Sequence, residues 1–214
     1  MAPYIRDVYL SYLIRGARRT KKGYPIIEKW MVATEIPKDI VQWDCRSKFK
    51  DKKSSAISFY CNDQFFQPVI NNPKKYENIL GEYHSIIGMD ASPFDNMPGV
   101  VQESQIYVNL AVTYYYGRRG HKIIPNVRLG CELTYDSLEA YPKGTMIAVG
   151  TNGFIKEKKN RIIFINQIRL IVDTLCPTVI LVYGKADEDL FSYAREHNVE
   201  IVQYDSYIMT RRSK

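Results

Sequence analysis

The sequence predicts an α/β domain: a largely parallel sheet of about six βα units, open or barrel-like but incomplete, with a basic N-terminal appendage. Three observations predict it. From Ile57 onward, short apolar runs alternate with amphipathic helical stripes. Each apolar run stops at a polar or glycine-containing turn. The chain has 214 residues and is 45% hydrophobic, enough for one good core but short of the roughly 250 residues of an eight-stranded α/β barrel. Two extended pieces ahead of Ile57 would bring the strands to eight, so the pattern leaves closure open.

At the N-terminus, Tyr4–Arg19 carries Val8, Tyr12 and Arg15 at helical spacing, with Gly16 weakening its end, and reads as a short amphipathic helix. Trp30–Ile36 and Ile40–Cys45 read as extended pieces separated by Pro37, and Phe49–Ser55 as a charged linker. The sequence therefore divides into a basic segment, residues 1–55, and an α/β domain, residues 56–214. Strands are expected at Ile57–Cys61, Ser85–Met89, Lys122–Val127, Thr145–Gly150, Thr178–Tyr183 and Glu200–Tyr204. Between them, Val101, Val108, Ala111, Val112 and Tyr115 share a helix face that Gly117 and Gly120 end, with Arg118 and Arg119 at the negative pole. Phe164, Ile168, Ile171, Val172 and Leu175 mark a second helix, stopped before Pro177. Leu190, Ala194 and His197 mark a third, which Asn198 closes. This alternation implies right-handed crossovers and parallel strands.

Parallel strands gather their carboxyl ends on one rim, where α/β proteins carry ligands. Most informative is the run from Ser85 to Pro98, in which an apolar strand stops at Asp90 and crosses a polar turn to a helix. Asp90, Asp95 and Asp63 are the candidate catalytic residues, with Asp90 leading because it stands directly at a strand end. Ser92, Asn126, Arg128, Asn152 and Tyr183 are the candidate ligand contacts on neighbouring strand ends. Two of the carboxylates would divide acid and base roles if their surroundings separate their pKa values. Alternatively, all three would hold a hard divalent cation, with a carbonyl oxygen from Asn126 or Asn152; no other cofactor is evident. The same residue types also end strands and cap helices. On that reading Asp63 caps a helix over Gln64–Ile70, and Asp95 or Asn96 caps the helix after Pro98.

Other motifs are absent or unspecific. The sequence has neither a dinucleotide-binding glycine fingerprint nor a Walker loop, and Gly150-Thr151-Asn152-Gly153 is an unspecific glycine turn that would let backbone N–H groups approach a phosphate but reads first as an ordinary tight turn. No Ser-His-Asp arrangement is legible. Cys45, Cys61, Cys131 and Cys176 are too scattered for a zinc site and read as reduced thiols. Outward rings of Tyr114-Tyr115-Tyr116 beside Arg118 and Arg119 suit base stacking or a helix surface equally. There is no membrane-spanning run and no secretory leader, which sets the expectation of a cytoplasmic protein.

The net charge of +7 is confined to the first quarter: 13 of 30 Lys/Arg and 6 of 23 Asp/Glu lie in residues 1–55, and the remainder balances. Arg15, Arg18, Arg19, Lys21 and Lys22 form one cluster, and Lys48, Lys50, Lys52 and Lys53 another. Such clusters suit a polyanion, because neutralising phosphates releases counterions; they also suit a solvated face.

A set of short motifs runs in order through the domain: Asn71-Asn72-Pro73 with Tyr76, Met97-Pro98 with Gln102, Tyr107 and Asn109, Lys122-Ile123-Ile124-Pro125 with Val127, Pro142-Lys143-Gly144-Thr145 with Ala148-Val149, and Pro177 with Tyr183-Gly184. Over about Asp63 to Gly184 the sequence resembles the family catalogued as domain of unknown function 4417, found in bacteria, phages and other mobile elements. The resemblance implies an α/β, barrel-related domain and carries no catalytic residue over. Leu110 stands where members often have arginine, and Arg128-Leu129-Gly130 where they often have a tryptophan-containing turn, so the resemblance does not carry over an anion site built on that arginine.

Two main readings result. The first is a mobile-element protein associated with nucleic acid through its basic segment. The second is an enzyme or small-ligand receptor, for a phosphorylated or nucleotide ligand, with its site around Asp90. An interaction protein aimed at a host or phage factor fits the family setting without a sequence feature of its own.

Overall fold

The computed structural model describes residues 11–151, 155 and 157–206. Its regular elements are β1 (Asp39–Gln42), β2 (Ser55–Ser58), α1 (Asp63–Asn71), α2 (Pro73–Leu80), β3 (Ser85–Ile87), α3 (Gly99–Arg118), β4 (Ile123–Ile124), β5 (Met146–Gly150), α4 (Lys158–Leu175), β6 (Val179–Tyr183), α5 (Glu188–Glu196) and β7 (Glu200–Tyr204). Every strand pairing is parallel. The strands form two sheets, β1-β2-β3-β4 and β5-β6-β7. Among the described residues they meet at one bridge, Asn126 to Ala148, where Val127 N–H donates to the Ala148 carbonyl at 2.9 Å and Ala148 N–H to the Pro125 carbonyl at 2.8 Å. The α/β class is as the sequence predicts, and the strands among the described residues do not close into a barrel. Across the β1–β7 seam the Tyr204 hydroxyl donates to the Pro37 carbonyl.

Alternation along the strands divides the core in two. Val41, Ile57, Ile86, Ile123, Ile147, Val149, Ile180 and Val182 join the cluster that packs with the helices. Ile40, Ala56, Ile87, Ile124, Met146, Ala148 and Leu181 form a second cluster on the opposite face, with Tyr60 and Tyr183 at its carboxyl-end side. The two sheets thus share an interior, like the inside of an incomplete barrel.

Strand edges differ from the expected ones for local reasons. β2 begins at Ser55, inside the stretch read as linker; Ser55 Oγ donates to the Asp51 carbonyl and Ser58 Oγ to the Val41 carbonyl, so both serines sit buried without an unmet hydroxyl. The expected strand Lys122–Val127 shrinks to two residues because Pro125 has no N–H to continue the ladder. The helix α2 was not foreseen, although Asn72 caps it through Lys75 N–H and Pro73 occupies its first turn. Of the helix expected at Tyr4–Arg19, residues 1–10 lie outside the described residues, and Ser11–Ile14 is a 3-10 turn. The expected extended piece Trp30–Ile36 begins inside another 3-10 turn, Lys29–Met31, and of its described residues Val32 reaches a parallel bridge, to Ile123.

The division after residue 55 runs between hydrogen-bonded neighbours. β1 pairs with β2 over four residues, and Leu13, Ile14, Tyr24, Ile27, Met31 and Trp43 belong to the helix-side core. Ala33 N–H donates to the Ile123 carbonyl beside the joint between the sheets. Residues 11–55 are therefore woven into the domain. Leu13, fully buried, makes this testable: Leu13→Ala is expected to cost about 2–5 kcal/mol of global stability in a urea titration, whereas a segment folding apart would leave the main transition unmoved.

Candidate functional site

Because all strands run the same way, their carboxyl ends share one pole, and Asp90 sits there just beyond the end of β3. The backbone around it is clamped by α3. Thr113 Oγ1 accepts from Met89 N–H at 3.2 Å, Asn109 Oδ1 accepts from Ala91 N–H at 2.8 Å, and Asn109 Nδ2 donates to the Ala91 carbonyl at 2.9 Å. On the other side Asp63 accepts from Ser92, through N–H at 3.1 Å and Oγ at 3.4 Å. Asp63 is thus a loop anchor; the capping side chain of α1 is Asn62, which accepts from Gln64 N–H. Neither Asp95 nor Asn96 caps α3, whose N-cap is Pro98 with no side-chain bond.

The Asp90 side chain is held by Asn126. Asn126 Nδ2 donates to Asp90 Oδ1 at 2.9 Å and to the Met89 carbonyl at 3.0 Å, while its Oδ1 accepts from the Tyr60 hydroxyl at 2.9 Å. The Tyr141 hydroxyl donates to the Asn126 carbonyl at 3.1 Å. Tyr60 in turn stacks on Tyr183, with ring centroids 5.0 Å apart and planes 11° from parallel. At the adjoining strand end a Cβ on Gly150 would meet the Tyr60 ring at 3.0 Å, so a larger residue there would press on the stacked pair. Asn126 and Tyr183 therefore position the site from within; the amide of Asn126 is fully engaged with protein groups. Asp90 and Asn126 come together with Arg128, whose Nη1 lies 3.9 Å from Asp90 Oδ1, beyond hydrogen-bond length.

Asp90 is only 8% exposed. Burial pushes its carboxyl above the ordinary value, against the pull of Arg128 and of the Asn126 hydrogen bond, and nearby Asp63 adds to the rise. Burial likewise raises the Tyr60 hydroxyl, with Asp90 adding to the effect, and the Tyr141 hydroxyl. Both tyrosines remain hydrogen-bond donors at neutral pH.

Beyond Arg128 opens a cavity of about 320 Å³ between the β4–β5 joint and α4. Val127, Val149, Phe164, Ile168 and Ile171 form its apolar walls, and Arg128, Gln102 and Gln167 are inner polar groups. Asp95, Glu132 and Lys159, all exposed, stand at its rim. Its floor is shaped by the 130–131 turn: Gln102 Oε1 accepts from Cys131 N–H at 2.7 Å, Gln167 Nε2 donates to the Gly130 carbonyl at 3.2 Å, and Thr134 Oγ1 accepts from Gly130 N–H at 2.9 Å. A Cβ on Gly130 would collide with Gln102 Oε1. Gly130→Ala is accordingly expected to displace Gln102, leave Cys131 N–H unmet and cost about 1–3 kcal/mol, measured by thermal or urea denaturation beside Gly130→Ser, which carries the same Cβ.

The three candidate carboxylates do not converge. Asp95 stands at the cavity rim and Asp63 is committed to Ser92, and among the described residues no group of three or more His, Cys, Asp or Glu is arranged to hold a metal ion. Asn152 lies outside the described residues. Sequence reasoning missed Tyr60, Tyr141 and the α4 wall. Tyr60 was discoverable, because it continues the alternation from Ala56 and Ser58 onto the inner face.

The basic residues divide between two places. Lys22 reaches Glu103 in α3 at 2.8 Å and Asp136 at 3.3 Å, while Arg18 forms a two-bonded pair with Glu28. Lys48, Lys50, Lys52 and Lys53 lie in the connection between β1 and β2, and Lys52 pairs with Glu82. The Arg15 carbonyl accepts from Arg118. No described helix is long and apolar enough to cross a membrane.

This architecture, parallel strands delivering a buried acid, its amide anchor and an arginine to one pole, defines an α/β domain with a candidate ligand site at its strand ends. The chain belongs to the family described as Domain of unknown function (DUF4417), whose model matches residues 21–205 and so includes β1 and the turns before it. It is similar to the Gene 1 protein of Mycobacterium phage L5, 22% identical over 184 residues that cover 83% of this chain and 77% of the phage protein. No solved structure matches it.

Proposed function

We propose that this member of a phage-related family is an enzyme or receptor for a small ligand, with its site at the strand-end pole around Asp90. The observation that carries the reading is the Asp90 carboxyl itself. It is buried, held in one orientation by Asn126 and Tyr60, and faces an arginine that borders a cavity. Burial opposes its ionisation, so keeping an acid there costs stability that a neutral side chain would not. Acids perturbed by burial beside a charged partner are enriched at sites that move protons or bind polar ligands, and here the partner, Arg128, lines the cavity. In this reading Asp90 touches the ligand as acid, base or anchor, Arg128 supplies positive charge, and Asn126 and Tyr60 are positioning residues.

The test is a thermal-shift series on wild type and Asp90→Asn with inorganic phosphate, nucleoside mono- and triphosphates, each with and without Mg²⁺. A ligand that raises the wild-type melting temperature by several degrees and leaves the variant unmoved supports the reading. Equal responses from both proteins to every ligand that binds would place the site elsewhere.

The confinement of the +7 charge to residues 1–55 favours a second reading, nucleic-acid association. The ion pairs of Arg18, Lys22 and Lys52 offset part of that charge. Anisotropy of labelled single- and double-stranded DNA and RNA would decide it. This reading expects binding at physiological salt that weakens steeply with added salt and drops at least tenfold when Lys48, Lys50 and Lys53 are changed to Gln. Binding confined to low salt, or indifferent to that variant, would remove it.

A further inference from the structure

We propose that the cavity between the β4–β5 joint and α4 takes an amphiphilic anion, its carboxylate or phosphate on Arg128 and its apolar body against Phe164, Ile168 and Ile171. The proposal rests on the reading of the Asp90 pole as a ligand site and adds the class of ligand. At about 320 Å³ the cavity lies at the small end of ligand pockets, and like them it is mostly apolar with a few convergent polar groups. Arg128 is the charged side chain that links the cavity to Asp90. Among the described residues, the carboxylate within ion-pair range of it is that of Asp90, at 3.9 Å, and its side chain is 27% exposed. A guanidinium so placed has donors to offer in the forked geometry that suits carboxylate and phosphate oxygens.

The rest of the lining narrows the class. Lys159, in the first turn of α4 where the helix end is positive, stands at the mouth with Asp95 and Glu132. All three are exposed, so solvent screens them, and Arg128 remains the inner charge. Gln167, 7% exposed, uses one amide hydrogen on Gly130, and Gln102, 3% exposed, accepts from Cys131 N–H; their amide groups are further inner polar contacts. An inorganic anion would leave the apolar walls in contact with water. A neutral amphiphile would cover the partly exposed Arg128 while leaving it only the Asp90 carboxyl, 3.9 Å away and beyond hydrogen-bond length, as a counter-charge. An anion on an apolar body satisfies both.

Calorimetric titration tests this with four probes: octanoate, octyl phosphate, octanol and inorganic phosphate. The proteins are wild type, Arg128→Gln, Arg128→Lys, Ile163→Trp and Asp90→Asn. Ile163 is half-buried and lines the cavity, so the larger ring fills space with little disturbance of the core. The two amphiphilic anions are expected to bind wild type at least tenfold more tightly than octanol or inorganic phosphate, and their ratio tells carboxylate from phosphate. Arg128→Gln should weaken them at least tenfold, Arg128→Lys less, and Ile163→Trp should abolish their binding without lowering the melting temperature. Absence of anion binding at millimolar concentration, equal binding of octanol, or indifference to Arg128→Gln overturns the proposal. If octanoate binds wild type and Asp90→Asn alike, the proposal stands and the role given to Asp90 fails. If phosphates or nucleotides bind in an Asp90-dependent way but the amphiphilic anions do not, the reading of the pole stands and the ligand class fails.

Discussion

Asp90→Asn is expected to leave the folded chain more stable at pH 7 than the wild type. The carboxyl is buried and its pKa stands above the usual 3.8, so folding is favoured by the protonated form. The stability associated with Asp90 is fully present below the unfolded pKa and is lost as pH rises through the raised folded value. Substitution by the amide removes that loss. It also keeps an oxygen that can accept from Asn126 Nδ2, the bond that orients the side chain at 2.9 Å. Arg128 loses a neighbour at 3.9 Å, but it is partly solvated and the pair is longer than a hydrogen bond. The two proteins should therefore melt together near pH 4 and separate toward neutrality, with the variant higher, while the variant loses ligand response. Stability gained at the expense of function is the behaviour of a site residue rather than a structural one.

The opposite outcome is expected next door. Asn126→Ala should cost about 3–5 kcal/mol, because one truncation strands three buried partners: the Tyr60 hydroxyl, the Met89 carbonyl and Asp90. Each unmet group carries roughly 1–3 kcal/mol of desolvation, and the total falls short of a simple sum because the three share one network. Tyr60→Phe removes one bond of the same network and should cost only about 1 kcal/mol. Asn126→Asp separates geometry from chemistry. It can still accept from Tyr60 but cannot donate to Asp90, and it places a second carboxylate against the first. Its instability should therefore ease as pH falls. Urea titrations at pH 5 and pH 7.5 measure all three, and a cost below 1 kcal/mol for Asn126→Ala would show that the anchor is dispensable.

The strand-end rule points to the candidate site because it needs only apolar runs and the residues that follow them. Asp90, Asn126 and Arg128 were legible in that way, and the structure brings them within one hydrogen-bonded or ion-paired group. What each does was not legible. Asp63 looked like a helix cap, yet it anchors Ser92 because Asn62, one residue earlier, already caps α1. Asn126 looked like a ligand contact, yet its amide is consumed by Tyr60, Met89 and Asp90, partners that come from other strand ends and carry no local signature. The N-terminal quarter looked like an appendage because its charge dominated its composition. Its core residues Leu13, Tyr24, Ile27 and Met31 are spaced irregularly along turns, so no helix or strand period reveals them. The cavity beside α4 depends on which residues of two distant segments fail to fill the space between them, and a linear sequence does not record that.

The most direct measurement is the pKa of the Asp90 carboxyl in the intact protein, from an NMR titration of its side-chain carbon with Asp90→Asn as the assignment control. A buried acid that marks a site should give a midpoint above 3.8, the ordinary aspartate value, together with a matching inflection in the Tyr60 and Asn126 side-chain signals. A midpoint at or below 3.8 would mean that Asp90 is a comfortably ionised partner of Arg128, and the strand-end pole would lose the feature that distinguishes it.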